Sequence, residues 1–333
     1  MSRCESRREG SWASNEVEAT FPVRSSLSVS VVITTRNSAR TIGRCLESLV
    51  PYQERGEISE VIVVDSHSAD GTVEIVRSYP VKLLLEEGVK DYSDSTIRAR
   101  YSTYQALDQG WRNACGDLVM FLDSDAYLGQ DFFPQALAFF VDEKLGVLGC
   151  WAKAWVSTPL TQTIGQIWAF HGERLRIIQN NSHHPFDRLY RLVTFFGAKR
   201  LYASGPCYIV RRSCLELLGG HDVSGDVGIS LRLDERGWRS WWWVDAPVCH
   251  LPKGDLRGLY RQHYLWGRAE AYASMGARPL VLHPLRIGGA VALGVFLAVR
   301  YRAPRHLVAL PLAEVSSFAG CVAGLVARAR GKL

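Results

Sequence analysis

The chain has 333 residues, of which 47% are hydrophobic and 22% charged. That is enough to bury a core in one large domain or two modest ones, and it excludes wholesale disorder. Its eight cysteines include no C-x-x-C pair, which excludes a small disulfide scaffold, argues against a structural zinc site and fits reduced thiols in the cytosol. The net charge of +6 hides a split: from Lys253 onward there are 12 Lys and Arg against 3 Asp and Glu, and before it 27 against 30. A nucleic-acid binder would carry its basic residues on the folded body, so no nucleic-acid partner is expected. A basic tail that is also apolar points to a membrane surface.

Residues 1–27 are rich in Ser, Glu and Arg and lack the apolar stretch of a signal peptide; they read as a disordered tail. The β-branched run 29–35 predicts a buried strand. Asn37-Ser38 then offers a helix cap, and Ile42, Cys45, Leu46 and Leu49 recur at helical spacing until Pro51, read as the helix stop. A second strand at 61–64 ends at Asp65, and the polar turn 66–72 leads into a short helix. Residues 81–85 predict a third strand, 95–113 a helix, and 118–122 a fourth strand ending at Asp123. Strand alternating with helix implies a mostly parallel sheet covered on both faces, with ligands beyond the carboxyl ends of the strands.

Past residue 150 the pattern loosens. Residues 160–200 look partly helical, 207–210 strand-like, 213–218 and 226–235 helical, and 241–244 a strand leading to Cys249-His250. Trp241 and Trp243 share one face of that strand and Trp242 takes the other, for core packing or for stacking on a sugar ring. Residues 256–277 form an amphipathic stretch; 287–299 carry no charge, and 307–326 carry only Glu314. The last run is long enough to cross a bilayer. With residues 302–305 at the tip, the two runs suggest a hairpin. Its basic tip strains a spanning topology, whereas a shallow hairpin in the cytoplasmic leaflet, or a soluble helical pair packed on the body, does not.

Asp123-Ser124-Asp125 closes an apolar strand. Two carboxylates one residue apart at a strand end can face a hard cation, and Mg²⁺ or Mn²⁺ bound so is commonly shared with a diphosphate. The alternative is a solvated acidic turn.

Three segments in this order resemble the family-2 inverting glycosyltransferases: Val31-Val32-Ile33-Thr34-Thr35-Arg36-Asn37, then Val63-Val64-Asp65-Ser66-His67-Ser68-Ala69-Asp70-Gly71-Thr72, then Gly116-Asp117-Leu118-Val119-Met120-Phe121-Leu122-Asp123-Ser124-Asp125. Each alone is weak; the ordered set, over about residues 28–126 with a looser match to about 268, is specific. The resemblance implies an α/β fold: a Rossmann-like nucleotide-diphospho-sugar transferase domain of GT-A type, followed by C-terminal amphipathic and hydrophobic helices. It implies that Thr34, Thr35, Arg36 and Asn37 lie at the base and ribose of a nucleotide sugar. Asp65 would hydrogen-bond the base, and Ser66 and Ser68 would shape the loop. Asp123 and Ser124 would lie near the ribose, with Asp123 and Asp125 at the metal. The family's Ala-Arg-Asn has its nearest match at Ala99-Arg100-Tyr101, further upstream than usual, so Arg100 or Arg112 would contact the donor.

In the second half, Gly219-Gly220-His221-Asp222 and Gly225-Asp226 resemble the acceptor-side motifs, with Gly225 where the family has glutamate. The resemblance makes Asp226 the general base; the plain alternative is a helix cap. His250 would complete the metal site, or be an ordinary core histidine. Gln262-His263-Tyr264-Leu265-Trp266-Gly267-Arg268 resembles a Gln-x-x-Arg-Trp motif with Leu265 in place of Arg. That argues for transfer of a single sugar over polymer synthesis, with Arg268 still able to reach the diphosphate. The expectation is a catalytic domain over 28–252 in the cytoplasm and a membrane-associated tail over 253–333. Donor and partners would be a nucleotide-diphospho-sugar, Mg²⁺ or Mn²⁺, a lipid-linked (polyprenyl) or glycan acceptor and an anionic leaflet. The alternatives are a nucleotidyltransferase acting on sugar phosphates and a non-catalytic membrane adaptor that keeps the fold.

Overall fold

The computed structural model describes residues 27–87, 95–179, 205–221, 225–273 and 278–330. The disordered-tail reading thus falls, up to residue 26, outside the described residues, as does residue 180 onward of the 160–200 stretch.

The first half runs β1 (Val29–Thr35), α1 (Ile42–Glu47), α2 (Val50–Glu54), β2 (Glu60–Asp65), α3 (Thr72–Arg77), β3 (Lys82–Leu85), α4 (Ser95–Arg112) and β4 (Leu118–Asp123). There follow β5 (Ala126–Leu128), α5 (Phe132–Phe139), β6 (Leu145–Cys150), β7 (Lys153–Ala154), α6 (Pro159–Gln179), β8 (Cys207–Arg211) and α7 (Arg212–Leu218). The chain continues with α8 (Gly225–Asp234), β9 (Arg239–Trp243), β10 (Val248–His250), α9 (Leu256–Ala273), α10 (Arg278–Tyr301) and α11 (His306–Ala329).

Seven strands make one sheet in the order β3-β2-β1-β4-β8-β6-β9. All neighbours are parallel except β8, which runs antiparallel to β4 and to β6. Both faces are covered, which is why the central strands hold runs of consecutive apolar residues, such as 31–33, 61–64 and 118–122, instead of alternating ones. Val31, Ile33, Val63 and Met120 face α1, α2 and α5, meeting Leu46, Tyr52 and Phe133. Their alternates Val32, Ile62, Val64 and Phe121 face α4, α7 and α8, meeting Trp111, Leu215 and Ile229. A smaller sheet, β5-β10-β7, sits at the end of β4; β10 is antiparallel to β5 and parallel to β7.

One local expectation is corrected. Pro51 does not stop a helix; it occupies the first turn of α2, where a missing N–H costs nothing. The segment after the D-x-D, without a sequence signal, forms β5, α5, β6 and β7. β5 and β7, of three and two residues, are too short for any periodicity to show.

α9, α10 and α11 pack together and against the body. The contact is built on small residues: a Cβ on Gly320 would collide with the Tyr264 carbonyl, and one on Gly267 with the Ser317 carbonyl. Close backbone approach of this kind is common where helices meet without a large apolar side chain between them. Arg286 pairs with Glu314 at 3.0 Å, joining α10 to α11. The turn between them comes back to the body. Leu297 and Ala309 share a core with Ile164, Ile167, Phe170 and Trp242, and Arg300 reaches Glu173 of α6 at 3.8 Å.

Candidate active site

The carboxyl ends of β1, β2 and β4 lie side by side because register fixes them there. Thr34 is paired with Asp123 across β1 and β4, and Thr35 with Asp65 across β1 and β2. Beyond the strands the two loops tie to each other. Asp65 accepts from the Ser68 backbone N–H at 2.8 Å and from its hydroxyl at 2.5 Å. Ser68 Oγ in turn accepts the Asn37 N–H at 2.8 Å, and Asn37 Oδ1 accepts the Ala69 N–H at 2.9 Å. Asn37 and His67 both hold positive φ, 51° and 56°, a conformation that non-glycine residues adopt at a cost and that clusters at functional loops. Ser38 and Ser124 share a hydroxyl hydrogen bond of 3.0 Å, which links the β1 loop to the D-x-D.

Asp123, Asp125 and His250 converge, with one ligand atom of each within 4.8 Å of the others. His250 stands on β10, held next to the D-x-D by pairing with Ala126 of β5. Its Nε2 lies 3.0 Å from Asp125 Oδ1, and Lys253 Nζ lies 3.7 Å from the other Asp125 oxygen. The donor set fits a divalent cation. Adjacent ligand atoms of an octahedral site with bonds of roughly 2.1 Å stand about 3 Å apart, the spacing of the His250–Asp125 pair. Two carboxylates with one imidazole suit a first-row ion such as Mn²⁺.

The charges are coupled. The surface of Asp123 is open to the cleft, yet the surrounding protein desolvates its carboxyl, and the charges of Asp125 and Asp226 add to that, so its pKa is raised. For Asp125, burial acts upward but the His250 hydrogen bond and the charges of His250 and Lys253 outweigh it, and its pKa is lowered. Burial disfavours the His250 imidazolium, and the Asp125 hydrogen bond and neighbouring carboxylates more than compensate, raising its pKa. Asp123 thus lies in the combined field of the Asp125 and Asp226 charges, which a bound cation would offset.

Asp226 joins this group electrostatically: besides acting on Asp123, it raises the pKa of the buried Tyr208 phenol, after burial itself. It lies in the first turn of α8, and its carboxylate accepts the Gly205 N–H at 2.7 Å, outside its own helix.

The other expected residues divide. Thr35 is buried, and its hydroxyl has no hydrogen-bond partner among the described residues; Arg36 and Asn37 are exposed. Ser66 is buried, its N–H given to the Thr35 carbonyl at 2.9 Å. Asp65 has no exposed surface. Its carboxylate braces the Ser68–Asn37 loop through its two bonds to Ser68. Arg112 is at the far end of α4, bound to Asp108 at 2.7 Å and to the Gly219 carbonyl at 2.8 Å. That end meets the start of the strands, since Asn113 accepts from Lys82, the first residue of β3, which removes Arg112 as a donor contact. Arg100 lies in the opposite half of α4, and its side chain is outside the described residues. Arg268 lies on α9 where Gly320 and Gly324 let α11 approach, and α9 also touches α4. Trp242 and Trp243 are core residues, and Trp241 is 39% exposed.

Two residues went unseen in the sequence. Lys253 is three places after His250 and could have been found from that proximity. Trp168, on α6, stacks on His250 with centroids 5.5 Å apart and an interplanar angle of 11°; nothing in the sequence links them.

The family profile described as "Glycosyl transferase family 2" matches residues 30–216. The chain belongs to that family. The match takes in every strand end described above and stops short of Asp226, His250 and Arg268. Among curated relatives, the dolichyl N-acetyl-alpha-D-glucosaminyl phosphate 3-beta-D-2,3-diacetamido-2,3-dideoxy-beta-D-glucuronosyltransferase of Methanococcus voltae is 29% identical over 104 residues, 31% of each chain. The beta-monoglucosyldiacylglycerol synthase of Synechocystis sp. is 22% identical over 255 residues, 74% of this chain and 47% of that one. The chain thus spans under half the length of these relatives. Among solved structures, the mannosyltransferase PcManGT of Pyrobaculum calidifontis, in complex with GDP-Man and Mn²⁺, aligns with a TM-score of 0.53 at 19% identity, covering 90% of this chain and 87% of that one. The fold of this family-2 chain is accordingly GT-A-like.

Proposed function

We propose that this family-2 chain transfers one sugar, with inversion, from a nucleotide-diphospho-sugar to a lipid-linked acceptor at a membrane surface. The observation that carries the reading is the convergence of Asp123, Asp125 and His250 at the strand ends, with Asp226 within electrostatic reach. Asp123, Asp125 and His250 would hold Mn²⁺ or Mg²⁺; when bound, the ion offsets charge on the departing nucleoside diphosphate.

The chain's own groups do the rest. The loops 34–37 and 65–72 form the floor for the base and ribose, braced by Asp65 through Ser68. Arg100 and Arg268 are the candidates to meet the diphosphate. Asp226 takes the proton of the acceptor hydroxyl as its oxygen bonds to the anomeric carbon. The bond from that carbon to the phosphate oxygen breaks on the opposite face, and a single displacement inverts the centre. If the acceptor is a bare phosphate, no proton need be removed.

The acceptor reading is supported by the tail. His283–Tyr301 and His306–Ala327 are long and apolar enough to cross a membrane, and only 17% and 39% of their apolar windows are buried in the protein. The Methanococcus and Synechocystis relatives carry lipid names, a dolichyl phosphate and a diacylglycerol. We divide the chain into a tail over 1–27, a catalytic domain over 28–252 facing the cytoplasm, and a membrane-associated segment over 253–333 at an anionic leaflet.

The test is sugar transfer with Asp226→Asn and Asp125→Ala. Loss of about 100-fold or more in kcat is expected for each with a hydroxyl acceptor, in the range of removing a general base or a charge-stabilising group. Full activity in both variants, or release of pyrophosphate in place of nucleoside diphosphate, would overturn the proposal.

A further inference from the structure

Beside the Asp123, Asp125 and His250 group a pocket of about 530 Å³ lies between β7, α6, the turn after β9 and the tip of the α10–α11 hairpin. Its size is in the range of small-molecule sites, roughly 300–1,000 Å³. Trp151, Trp168, Val244 and Tyr301 supply apolar wall. The aromatic wall is fixed: Trp151 Nε1–H donates to the Trp168 carbonyl at 3.1 Å, and Gly172 is the residue whose missing side chain lets Trp151 lie there, a Cβ meeting Trp151 Nε1 at 2.8 Å.

Two features say what fits. The first is the link to the candidate active site. Trp168 has one face in the stack with His250, and β7, on the cavity wall, is paired with β10, Lys153 beside Cys249 and Ala154 beside His250. The cavity therefore begins one strand from the candidate cation site. The second is its charge. Arg176 is paired with Asp245, and Glu173 with Arg300. Lys153 is exposed and makes no ion pair among the described residues. Gln162 and Gln166 put polar groups on the α6 side, but Trp151, Ala152, Ala154, Val156 and Val244 leave much of the wall apolar, which suits an alkyl chain with one polar end, and Lys153 stands in the lining beside Cys249. At the other end, Tyr301 continues into the exposed side of α10, where Val295, Phe296 and Val299 are 50%, 50% and 75% exposed.

We infer that this cavity seats the first part of the hydrocarbon chain of the lipid acceptor. Lys153 meets its phosphate or head group, and the chain leaves past Tyr301 towards the apolar side of the hairpin. The inference deepens the lipid-acceptor reading above and rests on it for the identity of the occupant. The shared chemistry is an alkyl chain next to a polar head; an isoprenoid phosphate and a diacylglycerol are the two sources.

The probe is a benzophenone-bearing farnesyl phosphate, applied to the full chain in detergent with no donor present, so that the seat is read independently of sugar transfer. The expected result is crosslinking to α6 or to the Trp151 and Tyr301 peptides. It should be displaced by unlabelled farnesyl phosphate if the acceptor is isoprenoid, or by dioctanoylglycerol if it is a glyceride. Ala169→Trp projects bulk into the cavity from an exposed position on α6. It should cut labelling by about tenfold while nucleoside diphosphate affinity with Mn²⁺ stays within about twofold, as for independent sites. Lys153→Met should weaken labelling by the farnesyl phosphate probe. Crosslinks confined to other parts of the chain, displacement by neither lipid, or unchanged labelling of Ala169→Trp would each overturn the inference.

Discussion

Thr35 shows how a single residue can separate folding from binding. Its hydroxyl is buried at the end of β1 without a hydrogen-bond partner among the described residues. An unmet buried hydroxyl costs about 1–3 kcal/mol, and removing it in a residue of the same shape can be neutral or stabilising. Thr35→Val should therefore leave thermal unfolding unchanged or shift it upward, while weakening nucleotide binding if the hydroxyl meets the ligand as the resemblance implies. A lowered Tm with intact nucleotide binding would make Thr35 a structural residue only. Asp65 teaches the complementary lesson. Its place in the motif was legible; its complete burial was not, because that depends on Ser68 and Asn37 folding back over it.

Among the elements, the strands that carry the site were readable because both faces of the sheet are covered, which turns β1, β2 and β4 into continuous apolar runs. β5, β7 and β10, of three, two and three residues, were not, and they are the elements that hold His250 against Asp125. Arg112 and Arg100 share one helix, and only the direction in which α4 packs tells them apart. The seam of α9 with α11 gives a further prediction. Gly320→Leu places a side chain where the Tyr264 carbonyl already stands, and overpacking of this sort costs typically about 1–3 kcal/mol. Gly288 has open space around it, and Gly288→Ala should stabilise α10 by about 0.5–1 kcal/mol. Thermal unfolding of both variants in one detergent tests this; equal effects would mean that the seam is not close-packed.

For the whole molecule, the charge split in the sequence corresponds to an acidic site on the body and a basic, apolar hairpin against it. What composition did not reveal is where the hairpin's tip goes. Arg300 and Tyr301 bring it back to α6, which supports the proposal of a hairpin lying along one leaflet over one with its tip across a bilayer. Cys115 is an exposed thiol on the body, and Arg302 is exposed at the tip. In sealed vesicles, an impermeant maleimide should reach Cys115 and the thiol of Arg302→Cys from the same side. Labelling from opposite sides would establish a spanning hairpin.

The proposed role of Asp123, Asp125 and His250 is to hold the cation through which a nucleotide sugar is bound. Calorimetric titration of the full chain with nucleoside diphosphates, with Mn²⁺ and then with a chelator, tests it most directly. Binding of one nucleoside diphosphate with Mn²⁺, lost on chelation and lost in Asp125→Ala, is the expected result. Equal affinity with and without the metal, or an Asp125→Ala chain that binds as the wild type does, would contradict it.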